Sequence, residues 1–314
     1  MRENYKILEE KIKKFRTIII AKHVHPDFDA IGSAFGLKSI IEDNFESKEV
    51  FVVGSTIDGG LYENPKLNDQ LISESLLITC DTANRERIDF DSFDSVKEVF
   101  KIDHHVDGDD FASNELIDKT AIACCQMITI WANSLDLIIS PIAANHLFKG
   151  IITDSNRFMY ENTNAQTFEA AGILINAGAK FTEIYDSLYI RNWKVQKWIN
   201  YCFAKAELKN DIAYIKVLRK EYIDLGLSLE EVKSCLGSIC GIQEVKISIL
   251  AIEVENDIKL SLRSSIFSVN QIAKKFNGGG HRLAAACKIK SWEEFEEVLQ
   301  EAQKIIKSEE KNVK

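Results

Sequence analysis

Four short apolar runs, RTIIIAK (16–22), EVFVVG (49–54), SLLITC (75–80) and VKEVFKI (96–102), are rich in β-branched residues, and each stops where a polar cluster begins. Between the first two lies AIGSAFGLKSIIED (30–43), whose apolar residues recur at helical spacing. Strand, helix and strand in that order predict a parallel sheet with right-handed crossovers. A sheet of this kind takes its ligands beyond the carboxyl ends of its strands.

After residue 121 the pattern turns helical, through IACCQMITIWANSL and PIAANHLFKGIITD to a segment capped by Asn164 and closed by Gly178. An aromatic amphipathic stretch with Trp193 and Trp198 follows over 181–206 and reads as packing surface in preference to a base-stacking platform. Strand-like DIAYIKVL (211–218), VKISILAIEV (245–254) and DIKLSLRSS (257–265) then alternate with helices, and the chain finishes in an amphipathic helix with a charged end. The expected class is α/β in two lobes: a mainly parallel sheet flanked by helices over 1–190, a linker helix within 191–209, and a smaller α/β domain over 210–314. A length of 314 residues fits two domains.

Composition narrows the function classes. Only 3 Pro and 15 Gly among 46% hydrophobic and 28% charged residues describe an ordinary globular chain. The net charge of -9 repels a long polyanion over most of the surface, so a nucleic acid partner is expected to be short or held locally. The first residues, MRENYKILEEKIKKF, carry charge where a secretory leader would be apolar, and no membrane-length apolar stretch occurs; a cytoplasmic protein with no membrane association is expected. Seven cysteines without a CxxC pair read as small buried hydrophobes in a reducing compartment.

The chemistry concentrates in four segments, each read as lying just after a predicted strand: HVHPDFDAIGS with His23, Asp27 and Asp29; ITCDTAN with Asp81; KIDHHVDGDD with Asp103, His104 and His105; and GIITDSNRF with Asp154. A single acid at a strand end is usually a cap or turn residue. Four such segments converging on one sheet edge are another matter, because Asp27, Asp29, Asp81 and Asp154 cannot all ionise together uncompensated. Two divalent cations would neutralise them, and mixed imidazole and carboxylate donors favour Mn²⁺, Fe²⁺, Co²⁺ or Zn²⁺ over a calcium cage. A metal pair roughly 3.5–4 Å apart with a shared carboxylate suits in-line attack on phosphorus.

The four motifs in this order, with the triplet Asp103-His104-His105, resemble the DHH phosphoesterase superfamily. SLRSS (261–265), SVNQIAKKF (268–276) and NGGGHRLAAAC (277–287) are similar to the substrate domain that accompanies it in the exonuclease-like branch. The resemblance implies a catalytic domain over 1–190 and a substrate-binding domain over 210–314. It implies that His23, Asp27 and Asp81 hold one metal and that Asp29, Asp81, His104 and Asp154 hold the other, Asp81 bridging, with Mn²⁺ preferred and Mg²⁺ or Co²⁺ as alternatives. Asp103 would orient a histidine from behind, and His105 would face the substrate phosphate. Arg263, Gly278, Gly279, Gly280 and His281 would grip a phosphate. Arg157, three residues after Asp154, reads equally as a further phosphate contact and as a salt bridge within the acidic rim. His25, two residues after His23, reads as a surface residue or as one that supports the ligands from behind, and not as a ligand itself. The chain departs from the usual motifs at Phe28, Asn277 and Ala286, which touches the shape of a nucleobase pocket and no ligand position.

The implied activity is hydrolysis of short 5′-phosphorylated oligonucleotides to mononucleotides, of 3′-phosphoadenosine 5′-phosphate (pAp) to AMP and phosphate, or of both. The same site would serve a cyclic or linear dinucleotide phosphodiesterase, and a non-catalytic nucleotide-binding module is the contrasting class. Long nucleic acid is excluded as a partner, and a homodimer is compatible with the resemblance.

Overall fold

The computed structural model describes residues 2–57, 59–64 and 66–312. It divides into two compact units, Met1–Tyr189 and Ile190–Lys314.

In the first unit, α1 (Arg2–Lys14), β1 (Thr17–Ala21), α2 (Phe28–Asn44), β2 (Glu49–Val52), α3 (Asp69–Ser73), β3 (Leu76–Cys80), β4 (Glu98–Asp103) and β5 (Asn114–Ile117) precede four helices: α4 (Cys124–Ser134), α5 (Pro141–Asp154), α6 (Ala165–Asn176) and α7 (Phe181–Tyr189). The sheet runs β2-β1-β3-β4-β5 with every pair parallel. β1 and β3 are buried along their whole length, because the sheet is covered on both faces. Ile18, Ile20, Leu76 and Ile78 join the large core with α1, α2, α4, α5 and α6, while Ile19, Ala21 and Leu77 pack with Ile72 of α3 on the other side. The strand order reverses between β1 and β3, which opens a crevice at their carboxyl ends.

Glycine sets the closest helix contact. A Cβ on Gly36 would meet the Leu147 side chain at 2.5 Å, and one on Gly32 would lie 2.5 Å from the His146 carbonyl oxygen, so α2 and α5 approach almost backbone to backbone. This contact brings the start of α2 beside the end of α5.

The second unit holds α8 (Trp193–Ala204), β6 (Glu207–Lys209), β7 (Ile212–Val217), α9 (Arg219–Ile223), α10 (Leu229–Lys233), β8 (Ile247–Glu253), β9 (Ile258–Arg263), α11 (Val269–Lys275), β10 (Gly279–His281), β11 (Ala284–Ile289) and α12 (Trp292–Asn312). Its sheet, β10-β11-β9-β8-β7-β6, is antiparallel except for β7 with β8. Ile249 and Leu260 pack toward α11 and α12, whereas Ile215 and Leu250 pack toward α8 and α10. The segment 191–209 therefore contributes α8 to a core and β6 to the sheet edge. Trp198 is buried, with Nε1 donating to the Val232 carbonyl at 3.2 Å, while Trp193 is exposed. Among the described residues no helix is long and apolar enough to cross a membrane.

Candidate metal centre

Every strand that ends at the crevice delivers part of the site. His23 follows β1, Asp81 follows β3, and Asp103 closes β4 with His104 and His105 after it. Asp27 is the N-cap of α2: its Oδ1 accepts from the backbone N–H groups of Asp29 and Ala30, both at 3.0 Å, which leaves Oδ2 directed to His23. Asp29, fully buried, accepts from the first turn of α4, from Cys124 N at 2.7 Å and Cys125 N at 2.9 Å.

Asp154 corrects the sequence reading. It ends α5, in keeping with the helical pattern of PIAANHLFKGIITD and not with a strand before it, so three strand ends, the start of α2 and the end of α5 build the site. The run IITD is too short for periodicity to separate buried helix from buried strand. A carboxylate at a helix C-terminus adds to the negative end of the helix dipole, and the two together attract a cation.

Asp81 stands at the middle. Its Oδ2 is 3.4 Å from His23 Nε2 and its Oδ1 is 3.3 Å from His104 Nε2. The left-handed backbone at Asp81 (φ 51°) turns the side chain into the crevice, a conformation Asp and Asn tolerate better than other residues. His104 Nε2 also lies 3.7 Å from Asp154 Oδ2 and 3.9 Å from Asp29 Oδ2. The far nitrogens of both rings meet backbone carbonyls, His23 Nδ1 at Val24 O (2.9 Å) and His104 Nδ1 at Ala121 O (3.2 Å). A carbonyl only accepts, so each ring carries a proton on Nδ1 and turns Nε2 toward the carboxylates, where Nε2 bears a proton in the metal-free protein and would give it up to bind a cation.

Three groups of side chains present donor atoms close enough to hold a cation: His23 with Asp27 and Asp81; Asp29 with His104 and Asp154; and Asp81 with His104 and His105. Asp81 and His104 each belong to two of them. Protonation is distorted accordingly. Burial, and then the charge of Asp81, push Asp29 up to about 7. Burial and the neighbouring Asp29 raise Asp154 far above the usual carboxylate range. For Asp81, burial is outweighed by hydrogen bonds from His104 and His23, and its pKa falls. Burial disfavours charge on His104, yet the bond to Asp81 and the surrounding carboxylates push it up to about 10. The cluster thus holds protons where a cation would replace them, and its hard oxygen and imidazole donors fit a divalent transition metal.

His105 faces the same centre: its Nδ1 donates to Asp103 Oδ1 at 2.7 Å and lies 3.7 Å from Asp81 Oδ1. His25 is exposed and joins none of the three groups. Arg157 sits in a left-handed turn just after Asp154 and places its guanidinium over the Tyr189 ring at 5.2 Å. Phe28 lies beneath the Lys149 ammonium at 4.2 Å.

In the second unit, Arg263 ends β9 and Gly279–His281 forms β10. Among the described residues Arg263 makes no ion pair, and its Nη1 donates to its neighbour's carbonyl, Leu262 O, at 2.9 Å. Gly278 and Gly280 are required by packing, since an added Cβ would fall 2.2 Å from Ala286 O and 2.6 Å from Ala284 O respectively. Gly279 has open space where its Cβ would be. The side chain of His281 lies outside the described residues.

Two residues of the centre escaped the sequence reading. A Cβ at Gly150 would fall 2.9 Å from Asp29 Oδ1, so this glycine makes room for the acid. Lys101, fully buried in β4, reaches Asp103 Oδ2 at 3.5 Å. A lysine set between Phe100 and Ile102 in the buried half of β4 is the signal available in the sequence.

Comparison with known proteins agrees in both units. The DHH family N-terminal domain matches residues 17–151 and the DHHA1 domain matches residues 211–308. The chain is 30% identical to the bifunctional oligoribonuclease and PAP phosphatase NrnA of Bacillus subtilis over 95% of this chain and 97% of that one. It is 32% identical to a probable bifunctional oligoribonuclease and PAP phosphatase NrnA of Streptococcus mutans, over 96% and 99%. An exopolyphosphatase-related protein from Bacteroides fragilis shares the fold with a TM-score of 0.87 at 23% identity, over 98% of each chain. With a DHH triplet at the end of its fourth strand and a DHHA1 domain after it, the chain belongs to the DHH family.

Proposed function

We propose that this protein is a two-metal phosphohydrolase that cleaves short 5′-phosphorylated oligonucleotides to mononucleotides and converts pAp to AMP and phosphate. The observation that carries the reading is the place of Asp81, one oxygen toward His23 and the other toward His104, shared by two groups of candidate ligands.

His23, Asp27 and Asp81 are assigned to one cation and Asp29, Asp81, His104 and Asp154 to the other, Mn²⁺ by preference. Bound there, the pair supplies an activated water and Lewis-acid stabilisation of charge at phosphorus. The protein's own groups do the rest. Asp103 Oδ1 accepts a hydrogen bond from His105 Nδ1–H and fixes the ring. A proton carried on Nε2 would then meet an oxygen of the phosphate under attack, where charge grows toward the transition state. Asp29, pinned by two N–H groups of α4, keeps its orientation through the reaction.

Arg263 is assigned to a substrate phosphate, and its lack of any ion pair among the described residues supports this, because a guanidinium without a carboxylate is available for a bidentate anion contact. The open space at Gly279 allows close backbone approach of a ligand. The similarity to NrnA relatives named as oligoribonuclease and PAP phosphatase supports the substrate class. So does the net charge of -9, which gives long strands little electrostatic attraction.

The test is a substrate panel with Mn²⁺: pAp, a 5′-phosphorylated dinucleotide, a long single strand and a cyclic dinucleotide. Rapid turnover of the first two and poor turnover of the long strand are expected. Equal rates on the dinucleotide and the long strand would overturn the proposal.

A further inference from the structure

Lys101 is a fully buried lysine in β4, paired in register with Thr79 of β3 and Glu115 of β5 and set between the buried Phe100 and Ile102. An ammonium in such a place is costly unless its donors are satisfied. Three oxygens surround it: the Ala83 carbonyl at 2.9 Å, the Asp109 carbonyl at 3.3 Å and Asp103 Oδ2 at 3.5 Å. The ammonium also lies over the Phe111 ring at 4.9 Å.

These contacts belong to three separate segments. Ala83 lies two residues after Asp81, Asp103 ends β4, and Asp109 lies in the middle of the loop that begins with His104 and His105. Asp109 N donates to Ala83 O at 3.0 Å, so the two loops are also tied directly. Asp103 spends its second oxygen on His105, at 2.7 Å. Lysine, carboxylate and imidazole thus stand in series. An aliphatic side chain would fill the space as well, but it would leave Asp103 without its cation and the two carbonyls without their donor.

We propose that Lys101 is a positioning residue that holds Asp103, and through it the His105 ring, in register for the reaction. The inference rests on the placement of His105 at the attacked phosphate given above. Lys101→Met keeps the length of the side chain and removes its charge. It lowers kcat by about 10-fold or more, leaving KM and bound Mn²⁺ close to wild type. In a His105→Ala background the same substitution costs little further, because residues acting in series are not additive.

Gly108→Ala offers a gentler approach to the same knot from an exposed loop, since its Cβ would fall 3.0 Å from Lys101 Nζ and 2.7 Å from Ala83 O. It lowers kcat in the same direction with little change in melting, and it carries the test through the same double-mutant comparison should Lys101→Met fail to fold. An unchanged kcat in His105→Ala defeats the placement of His105. A lowered kcat in His105→Ala defeats the role of Lys101 alone if Lys101→Met and Gly108→Ala leave kcat unchanged, or if their losses add in full to that of His105→Ala.

Discussion

Gly150 of α5 and Asp29 of α2 touch at the wall of the metal centre: an added Cβ on Gly150 would fall 2.9 Å from Asp29 Oδ1 and 2.4 Å from Cys125 Sγ. Both neighbours are fully buried and cannot step aside. Gly150→Ala should therefore cost on the order of 1–3 kcal/mol by overpacking and tilt the carboxylate off its α4 N–H donors. Calorimetric titration with Mn²⁺ and thermal melting check this; unchanged metal affinity in the variant would separate Gly150 from the site.

Asp81→Asn keeps the size of the side chain and suits the left-handed backbone at this position (φ 51°), so the fold should persist. The charge shared by both cation groups is lost. Activity should fall at least about 100-fold, with fewer cations retained per chain after dialysis. Near-native rates would show that Asp81 does not join the two groups.

Protonation gives the metal-free protein a signed response to pH. Asp29, pushed up from 3.8 to about 7, binds its proton more tightly folded than unfolded, so its contribution to stability falls as pH rises across that interval. His104, pushed up from 6.5 to about 10, contributes stability that is complete below 6.5 and is lost as pH climbs toward 10. Above about pH 8 only the His104 contribution is still changing between these two groups. The stability advantage of metal-free wild type over His104→Gln should shrink from about pH 7 to about pH 9. Denaturant melts of both proteins in chelator check it, and an advantage that grows over that interval would contradict the assignment.

Anchoring and chemistry should separate at Arg263. A phosphate contact formed in the ground state and kept in the transition state governs KM more than kcat. Arg263→Ala should raise KM for pAp and for a dinucleotide, and should spare an artificial phosphodiester that lacks a second phosphate. Equal harm to that minimal substrate, with the fold intact, would remove the anchoring role.

Much of this molecule could be read along the chain. The four apolar runs became β1 to β4, and helix 30–43 became the body of α2, because a twice-covered parallel strand is a short continuous apolar run whereas the apolar residues of 30–43 recur at helical spacing. The side chains His23, Asp27, Asp29, Asp81, His104 and Asp154 converge, since strand ends and helix starts at a switch point are forced together by topology. What escaped depends on tertiary contact. Asp154 reaches the site from a helix end, which only the close approach of α2 and α5 at Gly32 and Gly36 explains. β5 is short and half-polar, so no apolar run announced it. Lys101 and Gly150 act through neighbours distant in sequence, and spacing carries no record of that.

The central claim is that two cations, gathered around Asp81, perform the hydrolysis. Chelated protein should be titrated with Mn²⁺ while bound metal and release of phosphate from pAp are followed together. The account predicts no turnover in excess chelator and full turnover only when two ions per chain are bound. Turnover in excess chelator, or full activity at one ion per chain, would contradict it.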